Sequence, residues 1–288
     1  MKKYFSLVLF AHSIFALPFA MIGFFLGVTT TTNPFNWLIL VLVLLCMVFA
    51  RNAAMAFNRY LDRDIDAKNP RTQMRDIPSG KISAREALLF VIFNCVLFIL
   101  TTAFINPLCL YLSPVALFVV LFYSYTKRFT ALCHLVLGLG LSLAPIGAYI
   151  AVTGTFHIVP VLYSFAVLFW VSGFDIIYAL QDEEFDKSEN LHSIPSILGA
   201  KRALRLSEIL HVFSAICVIL PILLTTFSWA YYFGVTFFCS MLIYQHMLVK
   251  PNDLSKVNKA FATTNGIASV IFAVCFLLDA FLRTYLKF

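Results

Sequence analysis

The sequence predicts an all-α integral membrane protein with nine transmembrane helices and a cytoplasmic N-terminus. Its 288 residues are 61% apolar and only 12% charged, with a mean hydropathy of +0.90, whereas soluble domains carry roughly 25% charged residues. The apolar residues fall into segments of about 20 residues, the length that crosses a bilayer core of about 30 Å as a helix. The distribution of Lys and Arg then orients these segments. We treat residues 1–288 as a single membrane-embedded domain.

The nine apolar segments follow one another along the whole chain. They contain many of the 31 Phe residues and lack the ten-residue alternation of a transmembrane β-strand, which favours helices. The first segment continues past Pro18, so it resembles a span more than a cleavable signal peptide. Their approximate ranges are 5–28, 36–57, 85–105, 108–126, 131–153, 158–180, 203–226, 229–249 and 261–284.

The basic residues select one topology. With the N-terminus inside and nine spans, every Lys and Arg except Arg283 and Lys287 falls on the inner side, as the positive-inside rule requires. Topology therefore explains the net charge of +7 without a nucleic-acid partner. The predicted location is the cell (inner) membrane, with two long loops, about 58–84 and 181–202, in the cytoplasm.

Two acidic stretches lie where those long loops begin. Asn58, Asp62 and Asp66 follow the second span at intervals of four residues, which places them on one stripe if the helix continues. Asp182 and Asp186 repeat the spacing after the sixth span. Clustered carboxylates repel one another unless a cation neutralises them. Two facing stripes predict a Mg²⁺ site with a phosphorylated ligand, and the alternative is simple pairing with nearby basic residues.

The surroundings of the acids indicate the kind of ligand. An apolar bundle at a membrane boundary suits a diphosphate with a long hydrocarbon tail. A metal-bound diphosphate is a good leaving group, and its departure from an allylic carbon leaves a carbocation, which the aromatic face of Tyr178 could stabilise. Basic side chains that could hold the remaining phosphate oxygens are Arg71, Arg75, Lys127, Arg128 and Lys187.

These motifs resemble the UbiA superfamily of membrane prenyltransferases. The family carries Asn-x-x-x-Asp-x-x-x-Asp and Asp-x-x-x-Asp motifs, matched here by residues 58–66 and 182–186, and the similarity extends through 66–80, 125–130 and 175–186. The resemblance implies nine helices around a central cavity. It also implies that Mg²⁺ bridges to the prenyl diphosphate from Asn58, Asp62, Asp66, Asp182 and Asp186.

Within the superfamily, residues 10–20 and 51–59 are similar to those of 4-hydroxybenzoate polyprenyltransferases, some of which are associated with menaquinone made from a dihydroxynaphthoic acid. The implied reaction is polyprenyl transfer from a polyprenyl diphosphate to an aromatic acid in ubiquinone or menaquinone biosynthesis. Either Asp182 or Asp175 could take up the proton. His12 is either an acceptor-site residue or a packed histidine. Arg59 stands where many relatives have Asp, so it bears on the choice of aromatic acid.

Other functions remain alternatives at this point. Within the superfamily these are prenyl transfer to haem, chlorophyll or an ether lipid. From a different class, the acids could be ion ligands of a cation-coupled transporter, although such ligands usually lie near the bilayer midplane on broken helices. The sequence leaves the prenyl length, the acceptor and the oligomeric state open.

Overall fold

The computed structural model describes residues 15–31 and 35–285, most of which are helical. Two 3₁₀ turns, Leu180–Asp182 and Leu220–Leu223, extend helices, and a π-helical segment, Lys259–Thr264, runs directly into the last one. His12 lies outside the described residues, so its role stays a prediction. The helices are α1 (Leu17–Thr30), α2 (Trp37–Leu61), α3 (Arg63–Lys68), α4 (Ala84–Ala103), α5 (Pro107–Thr126), α6 (Cys133–Thr153), α7 (Ile158–Ala179), α8 (Glu183–Ser188), α9 (Ile194–Leu198), α10 (Ala200–Ile219), α11 (Trp229–Leu248) and α12 (Asn265–Tyr285).

Seven helices in the described part of the chain are long and apolar enough to cross a membrane: α2, α4, α5, α6, α7, α10 and α12. Helix α1 is apolar but has 14 residues, and the predicted start of this span at residue 5 lies outside the described ranges. Helix α11 has 20 residues but carries Tyr, Gln and His side chains that make it less apolar. The all-helical membrane fold is confirmed, while the count of nine spans and their orientation stay predictions.

Polar caps set where several helices begin. The Asn36 side chain accepts a hydrogen bond at 2.9 Å from a backbone N–H in the first turn of α2, and Asn106 does the same for α5. Ser83 and Glu86 form a reciprocal capping box at the start of α4. Such caps satisfy backbone donors that the helix leaves free. They fix the helix ends, and so the lengths of the loops between them.

Helix α7 passes through the core of the bundle. Trp170 at its middle is fully buried among Phe19, Phe238 and Phe174. Its indole Nε1–H donates to the Asn265 side-chain oxygen at 2.8 Å, so the polar atom of this large apolar side chain is satisfied. The packing holds α7 firmly, and α7 ends at the second acidic stretch.

Small residues let α6 approach α7 closely. A Cβ atom on Gly138 would lie 2.4 Å from the Leu168 carbonyl oxygen and 2.4 Å from the Ser172 hydroxyl. The Ser172 hydroxyl donates to the His134 carbonyl oxygen at 3.1 Å and thereby crosses between the helices. Close contacts of this kind are typical of helix pairs in membranes. Helix α6 is therefore fixed against α7 at the level of His134.

The outward faces of the bundle are apolar, with exposed side chains such as Phe93, Phe118 and Ile243. The two long loops, in contrast, are rich in charged residues. They lie at the same end of the bundle, because the side chains of Lys68 and Glu189 form an ion pair at 2.6 Å. This end carries both acidic stretches.

Candidate active site

The first acidic stretch keeps a helical hydrogen-bonding register across a break. Helix α2 ends at Leu61 and α3 begins at Arg63, so the continuous helix that the spacing predicts is interrupted at Asp62. The Asp62 N–H still bonds to the Asn58 carbonyl at 2.9 Å, and the Asp66 N–H to the Asp62 carbonyl at 2.7 Å. The Asn58 amide also donates to the Asp62 carboxylate at 3.1 Å. The predicted stripe is therefore kept locally.

Both carboxylates of this stretch are buried and paired with cations. Asp62, 1% exposed, lies 2.7 Å from the Lys127 ammonium and 3.2 Å from the Arg128 guanidinium. Asp66, 4% exposed, accepts two bonds from one Arg75 nitrogen at 2.7 and 2.9 Å. Buried carboxylates need such partners because desolvation of an unpaired charge is costly. Five of the predicted site residues therefore form two groups in direct contact: Asp62 with Lys127 and Arg128, and Asp66 with Arg75.

The second acidic stretch follows α7. Asp182 ends the 3₁₀ turn, and both its oxygens accept hydrogen bonds from the Arg71 guanidinium, with Nε at 3.0 Å. Burial alone would lower the pKa of Arg71, but the hydrogen bonds to Asp182, together with the charges of Asp182, Tyr178 and Asp66, raise that pKa. Arg71 also donates to the Tyr178 hydroxyl at 3.1 Å. Arg71, on the first loop, thus binds two predicted residues of the second.

Further contacts hold the two loops together. The Asn69 amide donates to Asp182 at 3.3 Å. The His192 N–H donates to the Lys127 carbonyl at 2.7 Å. The Asp186 carboxylate interacts electrostatically with both Lys127 and Asp182. Lys127 therefore stands between the stretches, with Asp62 on one side and Asp186 near it on the other.

The donor set fits a divalent metal that shares its coordination with a phosphorylated ligand. Among the described residues, no three His, Cys, Asp or Glu side chains meet closely enough to hold a metal by themselves. Mg²⁺ commonly takes one or two carboxylates and completes its shell with phosphate oxygens and water. Asn58 and Asp62 on one loop, and Asp182 and Asp186 on the other, offer oxygen ligands of that kind.

Other charged residues of these loops face away from the carboxylate cluster. The Asp64 side chain is 82% exposed and lies 3.6 Å from Arg63. Lys187, a predicted phosphate-binding residue, instead pairs with Glu183 at 2.6 Å and is 51% exposed. A pair at positions i and i+4 of a short helix is a local contact. The structure therefore does not bring Lys187 to the other predicted basic residues.

Asp175, two turns before Asp182 on α7, is hydrogen-bonded to a residue that the sequence reasoning overlooked. The His134 Nδ1 atom lies 2.7 Å from the Asp175 carboxylate, and His134 is almost completely buried. A titratable residue inside an apolar span is itself a functional signal. That signal, applied to His134 at the start of α6, could have identified it.

Arg51 is a second overlooked residue. It is half-buried on α2 within an apolar stretch, and its guanidinium lies 3.2 Å from the Met55 sulfur. Arg51 is eleven residues, or about three turns, before Asp62, so both are on the same face of the helix. Tyr123 of α5 interacts electrostatically with Arg51, Asp62 and Asp175. Tyr123 is therefore near both the carboxylates and this cation.

The aromatic side chain proposed to face a carbocation also lies here. The Tyr178 ring is 4.2 Å from the Phe261 ring, and the Arg71 guanidinium is 5.5 Å from the Tyr178 centroid. Phe174 contacts Phe261 from the next turn of α7, with ring centroids 5.4 Å apart. Tyr178 thus joins the charged cluster to an aromatic surface that leads into the bundle.

Comparison with known proteins matches most of the chain. The model of the UbiA prenyltransferase family matches residues 16–275. A 4-hydroxybenzoate octaprenyltransferase of Nitrosomonas europaea is 33% identical over 86% of this chain and 84% of its own length. A protein of the same name from Vibrio campbellii is 30% identical over 82% of this chain and 83% of its own.

Solved structures share the fold. A UbiA homologue from Aeropyrum pernix K1, in its apo form, has a TM-score of 0.84 and 32% identity, covering 93% of this chain and 98% of its own. A UbiA homologue from Archaeoglobus fulgidus bound to GPP and Mg²⁺ has a TM-score of 0.77 over 96% of this chain and 99% of its own. Its identity is 23%, so this second likeness is one of fold.

Proposed function

Since the chain belongs to the UbiA prenyltransferase family, it is a prenyltransferase, and we propose that it transfers a polyprenyl group from polyprenyl diphosphate to an aromatic acid in quinone biosynthesis. The relatives named 4-hydroxybenzoate octaprenyltransferase favour 4-hydroxybenzoate and ubiquinone. A dihydroxynaphthoate and menaquinone are the alternative. The observation that carries the proposal is the cluster of buried carboxylates and cations at one end of an apolar helical bundle.

Magnesium is the proposed cofactor. Asn58, Asp62 and Asp66 from the first loop, with Asp182 and Asp186 from the second, would hold it together with the diphosphate oxygens. Bound Mg²⁺ would neutralise charge on the diphosphate and make it a better leaving group. The relatives with Mg²⁺ and GPP or DMAPP bound support this choice of ion and of substrate class.

The basic residues of the cluster are proposed to bind the diphosphate. Arg71, Arg75, Lys127 and Arg128 each pair with a carboxylate at 3.2 Å or less. When a metal occupies the carboxylates and a diphosphate enters, the same cations can turn to phosphate oxygens without leaving any charge unpaired. Guanidinium groups bind phosphate oxygens in a bidentate way. Lys187 is paired with Glu183, so we expect it to contribute less to binding of the diphosphate.

The remaining site residues are proposed to contact the prenyl group and the aromatic acid. Tyr178 would face the allylic carbon, where its ring would stabilise developing positive charge. Arg51, deeper on the face of α2 that carries Asp62, is a suitable partner for the carboxylate of an aromatic acid. The bundle with its apolar exterior suits a bilayer and gives the polyprenyl tail a lipid environment.

The proposed setting is the inner membrane, with nine spans, a cytoplasmic N-terminus and the cluster facing the cytoplasm. Basic residues concentrated in the two long loops support this orientation. A cation-coupled transporter is less well supported, because its acidic ligands would lie near mid-bilayer on broken helices. Here Asp62 directly follows α2, and Asp182 ends the 3₁₀ turn that extends α7.

The test is an assay of the purified protein in detergent with geranyl diphosphate, Mg²⁺ and 4-hydroxybenzoate, beside a dihydroxynaphthoate acceptor. We expect a prenylated acid whose formation stops on adding EDTA and returns with excess Mg²⁺. Asp62→Ala should lower kcat/KM at least about 100-fold, since several kcal/mol of charge stabilisation are lost.

Asp64→Ala is the matched control for Asp62→Ala, because Asp64 is two residues away and its side chain is 82% exposed. This variant should keep wild-type turnover. Absence of product with every acceptor would contradict the proposed function. Equal activity of Asp62→Ala and Asp64→Ala would contradict the metal assignment.

A further inference from the structure

We propose that Asp175 is the base that takes the proton from the aromatic acceptor, and that His134 is the positioning residue that orients its carboxylate. The inference rests on the proposed function and chooses between two carboxylates, Asp175 and Asp182. Four observations carry it: the tautomer of His134, the burial of the pair, the partners of the rival carboxylate and the connection to the second acidic loop.

The hydrogen bonds of His134 determine which ring nitrogen carries the proton. The Ile194 backbone N–H points at His134 Nε2 at 3.2 Å. A backbone N–H can only donate, so Nε2 accepts and is unprotonated. The neutral ring then carries its proton on Nδ1, which lies 2.7 Å from the Asp175 carboxylate. The Nδ1–H therefore donates to an oxygen of the Asp175 carboxylate.

The two side chains of the pair, His134 and Asp175, differ in how far they are exposed. The His134 side chain is 4% exposed, whereas that of Asp175 is 22% exposed. One carboxylate oxygen is thus fixed by a buried donor while the carboxylate remains accessible. Tyr123 interacts electrostatically with Asp175 as well as with Asp62 and Arg51. The accessible carboxylate lies in the same group of residues as the proposed metal ligand and the proposed partner of the acid.

Asp182 is less suited to accept a proton. Both of its oxygens are bonded to the Arg71 guanidinium, and Asn69 adds a third donor. A proton would have to displace one of these donors from a carboxylate oxygen. In the part of the chain that the structure describes, Asp175 forms no ion pair with a Lys or Arg, and its hydrogen-bond partner is the His134 imidazole. Asp175 thus lacks the cationic partners that occupy Asp182, which suits it better to proton transfer.

The Ile194 contact also links the base to the second acidic loop. Ile194 is the first residue of α9 and lies eight residues after Asp186. The Leu191 N–H bonds to the Asp186 carbonyl at 2.8 Å, which keeps this segment compact. His134 therefore contacts Asp175 with one nitrogen and the loop that carries Asp186 with the other. A movement of that loop would therefore shift His134 and, through it, the position of the Asp175 carboxylate.

The chemical step conserves atoms and electrons. The C1–oxygen bond of the prenyl diphosphate breaks, and its electron pair leaves with the diphosphate. The ring carbon next to the acceptor hydroxyl forms a bond to C1. The hydrogen on that ring carbon passes as a proton to Asp175, which restores the aromatic ring, and Asp175 later releases the proton to water.

The experiment measures kcat and KM with ordinary 4-hydroxybenzoate and with the acid deuterated at both ring positions next to the hydroxyl. Asp175→Asn preserves the shape of the side chain but removes the base, and should lower kcat about 100-fold or more with little change in either KM. It should also reveal a primary deuterium isotope effect on kcat that is near unity in the wild-type protein, because proton removal becomes rate-limiting.

Two substitutions at His134 separate positioning from packing. His134→Phe fills the space without a donor, and it should lower kcat and show the same isotope effect. His134→Asn can present its amide N–H to Asp175, and it should restore most of the lost kcat. Melting temperatures in detergent verify that each variant is folded. Since Asp175 is partly exposed and Asn has the same shape, Asp175→Asn gives a result even where His134→Phe does not fold.

The outcomes distinguish this inference from the function on which it rests. A wild-type protein that prenylates no hydroxylated aromatic acid overturns the proposed function. A wild-type protein that does so, while Asp175→Asn retains its kcat or loses kcat without an isotope effect, overturns only the assignment of the base. Equal loss in His134→Phe and His134→Asn, with Asp175→Asn behaving as expected, overturns the positioning role.

Discussion

Arg51 brings a permanent positive charge into an apolar helix, and such a charge is expensive unless it has a use. Its neighbours on α2 are mostly apolar, and the Met55 sulfur, a weak acceptor, is 3.2 Å from its guanidinium. It shares a face with Asn58 and Asp62 and lies about two turns before Asn58 and three turns before Asp62. A carboxylate on the acceptor could pair with this guanidinium when both substrates are bound.

Replacing Arg51 by Met should therefore weaken binding of the acid more than turnover. A hydrogen bond to a charged group contributes about 1.5–3 kcal/mol, so we expect KM for 4-hydroxybenzoate to rise roughly 10- to 100-fold. KM for the prenyl diphosphate should change little. Steady-state kinetics with each substrate varied in turn provide the measurement.

4-Hydroxybenzamide supplies the control, because it has nearly the same shape as the acid but no charge. The wild-type protein should prefer the acid strongly, and Arg51→Met should lose that preference. If the variant still prefers the acid over the amide to the wild-type degree, another group binds the carboxylate.

At the scale of the helices, the contact between α6 and α7 controls where His134 lies. Gly138 is one turn after His134, and a Cβ there would collide with the backbone of α7 at 2.4 Å. Gly138→Ala should therefore push the helices apart and cost about 1–3 kcal/mol, the usual penalty of overpacking. The apparent melting temperature in detergent should fall, and turnover should fall with it because the Asp175–His134 pair is displaced.

Gly147 is a matched control on the same helix. A Cβ on Gly147 meets nothing within 4 Å, and Ala in a helix is more stable than Gly by roughly 0.5–1 kcal/mol. Gly147→Ala should leave the melting temperature unchanged or raise it. A lower melting temperature in Gly147→Ala than in Gly138→Ala would show that the close approach is not what limits this helix.

At the scale of the whole molecule, the local features of the sequence predicted the fold well. The predicted segment 108–126 corresponds to α5 at Pro107–Thr126, and 131–153 to α6 at Cys133–Thr153. The length of an apolar segment predicts such boundaries to within a few residues. The break at Asp62 was not predicted, because a four-residue spacing does not distinguish one helix from two that keep the same register.

The pairing of charges could not be read from the sequence. Lys127 and Lys187 are both basic residues near the acidic stretches, yet Lys127 binds Asp62, 65 positions away, and Lys187 binds Glu183 within its own turn. Which partner a charge finds depends on how α5, α6 and α7 pack, and packing is not encoded in spacing. The pairing of His134 with Asp175, 41 positions further on, could not be predicted for the same reason.

Because of these ion pairs, the binding of Mg²⁺ and the binding of the diphosphate should depend on each other. Mg²⁺ alone would have to displace Lys127 from Asp62 and Arg71 from Asp182, and would leave these cations without partners. A diphosphate alone would leave the carboxylates without partners in the same way. When both bind, carboxylates pair with metal and cations pair with phosphate, so no buried charge is uncompensated. Binding of metal and diphosphate should therefore be positively coupled.

The coupling can be measured as thermal stabilisation of the detergent-purified protein by Mg²⁺, by an unreactive thio-analogue of geranyl diphosphate, and by both. A ligand at about 100 times its Kd stabilises a folded protein by about 2.7 kcal/mol, so the combined shift should be large and each separate shift small. Asp182→Asn retains the volume of the side chain but weakens both the metal ligand and the partner of Arg71, and it should bring the combined shift close to the sum of the separate ones. Additive shifts in the wild-type protein, or a full shift with the diphosphate analogue in EDTA, would contradict an exchange of ion-pair partners at this site.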